Sequence, residues 1–183
     1  MPFKKSLCTF LYDRIAVHLP RGNNPLGRFG RNARYELCRN IFEYCGANVN
    51  IEKGARFIGG GDRIRIGDNS GIGVNAKIPN GTIIGENVMM GPNCFVHDIN
   101  HRFDRIDIPM IQQGHTSHLP IVIGDDVWIG RDVTIMRGRH IAKGSILAAN
   151  CVLTRDFPEY SIIGGNPSRL IRSRLDNLNE NHA

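Results

Sequence analysis

One tryptophan, no Cys-x-x-Cys pair and no long apolar run define what this chain of 183 residues lacks. The five cysteines, Cys8, Cys38, Cys45, Cys94 and Cys151, are odd in number and widely spread. That argues against a disulfide framework or a zinc ribbon and for reduced thiols in a cytoplasmic protein. In the N-terminal stretch MPFKKSLCTFLYDRIAVHLP, Asp13 and Arg14 interrupt the apolar residues. This reads as neither a signal peptide nor a membrane span, and no stable membrane insertion is expected. It reads as an amphipathic helix packed on the body, with peripheral membrane contact as the alternative. Lys and Arg nowhere cluster as they do in nucleic-acid-binding segments, so no nucleic acid partner is expected. The net charge of +6 fits an acidic glycan or a phosphate-bearing cofactor better. No histidine lies between His18 and His97, yet four of the seven fall within residues 97–118.

What the chain has instead is a rhythm. Aliphatic residues recur every six positions at Ile66, Ile72, Ile78, Ile84, Met90 and Val96, then at Ile123, Ile129, Ile135, Ile141, Leu147 and Leu153. A period of six is neither helical nor simple strand alternation. It is the hexapeptide signature of a parallel β-helix, in which three hexapeptides make a triangular coil of 18 residues. Ile66 is then expected to stack on Ile84, and Ile123 on Ile141. Small or β-branched residues often follow four positions later, including Ser70, Ala76, Thr82, Cys94 and Cys151. The two cysteines there read as small buried residues, not nucleophiles. Residues 1–44 form an N-terminal helical or extended segment, with a helix near 30–44 that Gly46 would cap. Residues 45–172 form the β-helix. Beyond it, SRLIRSRLDNLNENHA reads as a short basic helix running into a polar tail over 173–183.

The rhythm breaks once. Residues 102–122 form an excursion of 21 residues that leaves the coil directly after His101. Long loops on rigid scaffolds are often functional. The imidazoles His97, His101, His115 and His118 admit two readings. Zinc binding of the gamma carbonic anhydrase kind would need a further histidine well upstream, and none is present. A single general base needs one imidazole near its usual pKa of about 6.5.

The segments IGDNSGIGVNAKI, IIGENVMMGPNCFV and IVIGDDVWIGRDVTI resemble the hexapeptide-repeat acyltransferases over most of residues 45–172. The resemblance implies an all-β fold, a left-handed parallel β-helix. VMMGPNCFVHDINHRFD is similar to the galactoside, maltose and nodulation-type sugar O-acetyltransferases and the related polysaccharide enzymes. Their catalytic histidine sits nine residues after the proline of this motif, which here is Pro92 and His101. ILAANCVLTRDFPEYSIIGGNPSRLIR resembles their terminal motif. By position it implies that Ala149, Thr154, Arg155, Arg169 and Arg172 hold acetyl-CoA, with Trp128 beside the pantetheine arm and Arg131 nearby. Asn75 matches an acceptor-binding asparagine. Met136, Arg137 and Arg139 depart from the family pattern, which puts the local coil packing in question. The resemblance further implies a homotrimer, no required metal, and acetyl transfer to a hydroxyl of a sugar or glycan in surface polysaccharide biosynthesis. The alternatives are N-acetylation of an amino sugar or amino acid, a zinc-dependent lyase of the gamma carbonic anhydrase type, and a scaffold without activity.

Overall fold

Repeated every six residues, the aliphatic positions line the inside of a three-faced prism. The computed structural model describes residues 2–176. The first face carries the parallel strands Tyr44–Cys45, Arg65–Ile66, Ile83–Ile84, Val122–Ile123 and His140–Ile141. The second carries Met89–Met90, Trp128–Ile129, Ile146–Leu147 and Ser161–Gly164, continued by the pair Asn50–Ile51 and Gly71–Ile72. The third carries Arg56–Ile58, Lys77–Pro79, Phe95–Val96, Thr134–Ile135 and Val152–Leu153. Ile66 stands opposite Ile84, Ile84 opposite Ile123, and Ile123 opposite Ile141. The coils therefore keep the 18-residue period, and the excursion interrupts sequence without breaking the stack. They wind left-handed, as the resemblance implies.

The inward residues explain the stability of the prism. Ile66, Ile72, Ile78, Ile129 and Ile135 are fully buried, each contributing roughly 1.5–3 kcal/mol by leaving water. Between them sit the small residues. Ser70 is buried and satisfied: its Oγ donates to the Gly85 carbonyl at 2.7 Å and accepts from Val88 N–H at 2.9 Å. Cys94 and Cys151 are buried in the same layer. The turns between faces require left-handed backbone. One corner uses Asn75, Asn93, Asp132 and Asn150, with φ between 56° and 60°. Short polar side chains tolerate that region and can hydrogen-bond along it. At Gly73 a side chain would collide with the Gly91 carbonyl of the next coil.

The first coil differs from the rest. Ile51 faces Ile72 and Phe57 faces Ile78, a spacing three residues longer. Gly59, Gly60 and Gly61, all at positive φ, take up the excess. Two helices close this end, α1 (Pro2–Arg14) and α2 (Pro25–Ile41). Tyr12 in α1 is buried and donates its hydroxyl to the Ala55 carbonyl at 2.9 Å. Arg34 in α2 is fully buried and donates to Ile51 O at 2.6 Å and Leu19 O at 2.9 Å. Asn24 caps α2 by accepting from Gly27 N–H at 2.7 Å, with Pro25 at its first turn.

Two expectations need correction. The helix near 30–44 starts earlier and ends at Ile41, capped by Phe42 and not Gly46. Gly46 instead follows a strand, where a side chain would press into Asp68. The basic stretch after Pro167 is not a helix at its start: Arg169–Ser173 is a strand, antiparallel to Ser161–Gly164. The last coil ends in an open edge, and the returning chain satisfies its backbone groups. The expected polar tail from residue 177 onward lies outside the described residues.

Candidate active site

The excursion is a folded hairpin and not a loose loop. Leu119 N–H donates to Asp98 O at 2.9 Å, Thr116 N–H to Asn100 O at 2.8 Å, and Arg102 N–H to Gly114 O at 3.0 Å. Its neck thus closes at Asp98 and Leu119, and Val122 is already back in a strand. Inside the hairpin the Gln113 amide donates to the carbonyls of Arg105 and Ile108 and accepts from Arg105 N–H. His101 and His115 form an antiparallel bridge across it. Their ring centroids are 4.4 Å apart with a 37° tilt.

The other two imidazoles of the cluster turn elsewhere. His118 Nδ1 meets Asp98 Oδ2 at 2.5 Å. His97 packs on Phe95, centroids 4.2 Å apart, and burial pushes its pKa below the ordinary value against the opposing pull of Asp98. Among the described residues no three His, Cys, Asp or Glu side chains converge as a metal site requires. Burial pushes the Cys45 and Cys94 thiols up to about 11, and those of Cys38 and Cys151 also rise, which makes these four poor nucleophiles.

His101 opens onto a groove of about 440 Å³ where the third face turns into the first. Asn100, Met136, Arg137, Arg139 and Thr154 share its walls. Thr154 therefore comes together with His101, and Arg155 follows it, its guanidinium 5.0 Å over the Phe157 ring. The remaining expected residues stand elsewhere. Arg131, Ala149 and Asn75 lie at the other end of the third face, where the second face ends. Arg131 pairs with Asp132 at 2.7 Å. Asn75 donates its amide to Asn93 at 3.2 Å, and Asn93 to Asp132 at 2.9 Å. Trp128 is half exposed on the second face, beside Met89 and Ile146. Arg169 and Arg172 lie on the antiparallel strand that ends that face. The third face separates the Thr154 corner from the corner that holds Arg131, Ala149 and Asn75.

Comparison with known proteins now bears on this geometry. The family described as bacterial transferase hexapeptide (six repeats) matches residues 63–98 and 120–155. The interval it skips, residues 99–119, covers most of the excursion. A Saccharomyces cerevisiae protein described as an acetyltransferase is 36% identical over 151 residues, spanning 81% of this chain and 75% of its own length. Galactoside O-acetyltransferase of Escherichia coli is 31% identical over 149 residues, 78% of this chain and 70% of its own. The chain belongs to the hexapeptide-repeat acetyltransferase family. A Vibrio cholerae hexapeptide-repeat acetyltransferase solved with acetyl-CoA superposes with a TM-score of 0.73, 28% identity, and coverage of 93% of this chain and 85% of that one. Galactoside acetyltransferase in complex with coenzyme A gives 0.76, 25% identity, and coverage of 96% and 83%.

Within this hexapeptide-repeat acetyltransferase, the fold brings His115, Arg137 and Arg139 beside His101, where sequence reasoning does not place them. His115 had no repeat position to mark it. The two arginines flank Gly138, whose φ of 65° makes the corner turn. Read as sequence, they are departures from a packing pattern. Folded, they are walls of the groove, and the coil beneath them packs normally: Ile135 is fully buried and Ile141 nearly so.

Proposed function

We propose that the protein transfers the acetyl group of acetyl-CoA to a hydroxyl of a sugar or glycan acceptor in surface polysaccharide biosynthesis. The observation that carries this reading is the groove shared by His101 and Thr154 in a chain of this family. His101 Nε2 takes the proton of the acceptor hydroxyl as its oxygen attacks the thioester carbonyl carbon. The carbon–sulfur bond then breaks, and His101 returns the proton to the departing thiolate. The products are an acetyl ester and CoA. Backbone N–H groups hold the charge that develops on the carbonyl oxygen. The raised thiol pKa values fit direct transfer without an acyl-enzyme.

In this reading Thr154, Arg155, Trp128, Arg131, Ala149, Arg169 and Arg172 hold acetyl-CoA, and Asn75 meets the acceptor. Thr154 and Arg155 lie at one corner, Arg131, Ala149 and Asn75 at another, and Trp128, Arg169 and Arg172 on the second face, so one cofactor reaches both groups where the first corner of one copy faces the second face of its neighbour. That favours a homotrimer. The exposed apolar residues of the hairpin, Phe103, Ile106, Met110 and Ile111, fit burial against the adjoining subunit. Among the described residues no helix is long and apolar enough to cross a membrane, and we place the enzyme in the cytoplasm, where acetyl-CoA is made.

The test is CoA release from acetyl-CoA across a panel of sugars and amines, with the product identified by mass spectrometry. The expected product is a sugar ester that mild alkali removes. An alkali-stable amide as the main product would shift the assignment to N-acetylation. Sedimentation of the purified protein as a monomer would overturn the shared-site arrangement.

A further inference from the structure

Three guanidinium groups line the groove beside His101: Arg102, Arg137 and Arg139. Two of them are matched. Arg102 lies 3.7 Å from Asp104. Arg139 lies 3.5 Å from Asp156 and donates to Thr154 O at 3.2 Å. Arg137 differs. Its Nη2 donates to the Ser117 carbonyl at 3.1 Å, its Nε is buried without a partner, and it pairs with no carboxylate among the described residues. A carbonyl orients the guanidinium but leaves its charge uncompensated.

The setting holds this cation in place. Arg137 precedes the left-handed turn at Gly138, against which Leu119 of the hairpin neck packs. It therefore sits one coil beyond the hairpin and is tied to it through Ser117. Its position also argues against a cofactor role. The thioester end of acetyl-CoA and the pantetheine arm behind it are uncharged. The phosphates lie at the far end of the molecule, and Arg169 and Arg172, assigned to acetyl-CoA above, stand away from this groove on the strand that ends the second face. A cation sharing a groove with the base has no counterpart on the donor, so its counterpart belongs to the acceptor.

We propose that Arg137 seats an anion of the acceptor, which makes the acceptor an acidic sugar. Its carboxylate or phosphate binds the Arg137 guanidinium while a hydroxyl of the same molecule faces His101. A charge-assisted pair in a partly buried groove discriminates strongly, because the neutral sugar leaves the guanidinium unmatched. The net charge of +6 favours encounter with such an acceptor. The inference rests on the hydroxyl-acetylating reading above, and its test separates the two.

The measurement is the affinity of the CoA-loaded protein for methyl glucuronide, glucose 1-phosphate and methyl glucoside, by ligand-observed NMR. At least one anionic sugar is expected to bind about tenfold or more tighter than the neutral glycoside. The two anionic arms distinguish carboxylate from phosphate. Arg137→Gln should abolish the preference and Arg137→Lys should keep most of it, with acetyl-CoA affinity the same in both. Equal affinity for all three sugars, or binding of none, overturns the proposal. Weakened acetyl-CoA binding in Arg137→Gln also overturns it, because Arg137 would then serve the donor. A preference for anionic sugars in a protein that transfers no acetyl group would support the anion site and defeat the assigned reaction.

Discussion

His101 and His115 face each other across the hairpin, their ring centroids 4.4 Å apart. No other aromatic ring contact reaches His101 among the described residues. The pair makes His115 the side chain that sets where the proposed base points.

Under the proposed function His115 is a positioning residue. His115→Ala frees the His101 ring, and kcat is expected to fall about tenfold with little change in the acetyl-CoA KM, because orientation is lost and not binding. His115→Phe keeps a ring in place and should restore most of the rate. Equal losses in both variants would mean that the second imidazole acts chemically, and unchanged rates in both would remove His115 from the account.

The corner at Asn93 supports a stability prediction. Its φ is 60°, and its amide bridges Asn75 and Asp132 in adjacent coils. The Asn93 amide, followed by the Arg131 guanidinium, holds the Asp132 carboxyl below the usual carboxylate range. Asn93→Val forces a β-branched residue into left-handed backbone, at a cost of about 2 kcal/mol. Asn93→Gly keeps the backbone and loses only the exposed hydrogen bonds. Thermal unfolding should separate the two by several degrees, with the valine variant melting first.

His97 supplies the pH dependence. Burial lowers its pKa in the folded protein, and Asp98 only partly offsets that. The unfolded chain then binds the proton more tightly. The His97 contribution to stability is complete above the unfolded value of about 6.5 and erodes as pH falls through it toward the folded value. NMR titration should find the His97 ring neutral where an exposed histidine has begun to protonate. A midpoint at or above 6.5 would contradict the packing of His97 on Phe95.

The hexapeptide period made much of this legible before any coordinates. Ile66 over Ile84 and Ile123 over Ile141 follow from counting, because every six residues must return an aliphatic side chain to the same interior. The excursion follows from the same count, since Ile84 and Ile123 still face each other across it. What stayed hidden depends on contacts that no local pattern carries. No local pattern marks Arg34, yet backbone carbonyls from distant segments converge on it. The strand Arg169–Ser173 reads as a basic helix because its partner edge exists only once the coil has ended. The meeting of His101 with His115 depends on hairpin register, and hairpin residues obey no period. Arg137 was visible as a departure from the family pattern, but only the fold shows which side of the coil it faces.

The central claim is that His101 removes the acceptor proton, and His101→Ala tests it most directly. The variant should fold, keep its oligomeric state and bind acetyl-CoA normally, since the His101 ring is exposed in the hairpin and outside the packed coils. Acetyl transfer under saturating donor and acceptor should fall at least about 100-fold. Turnover within a few-fold of the wild type, in a variant that binds acetyl-CoA normally, would contradict the account.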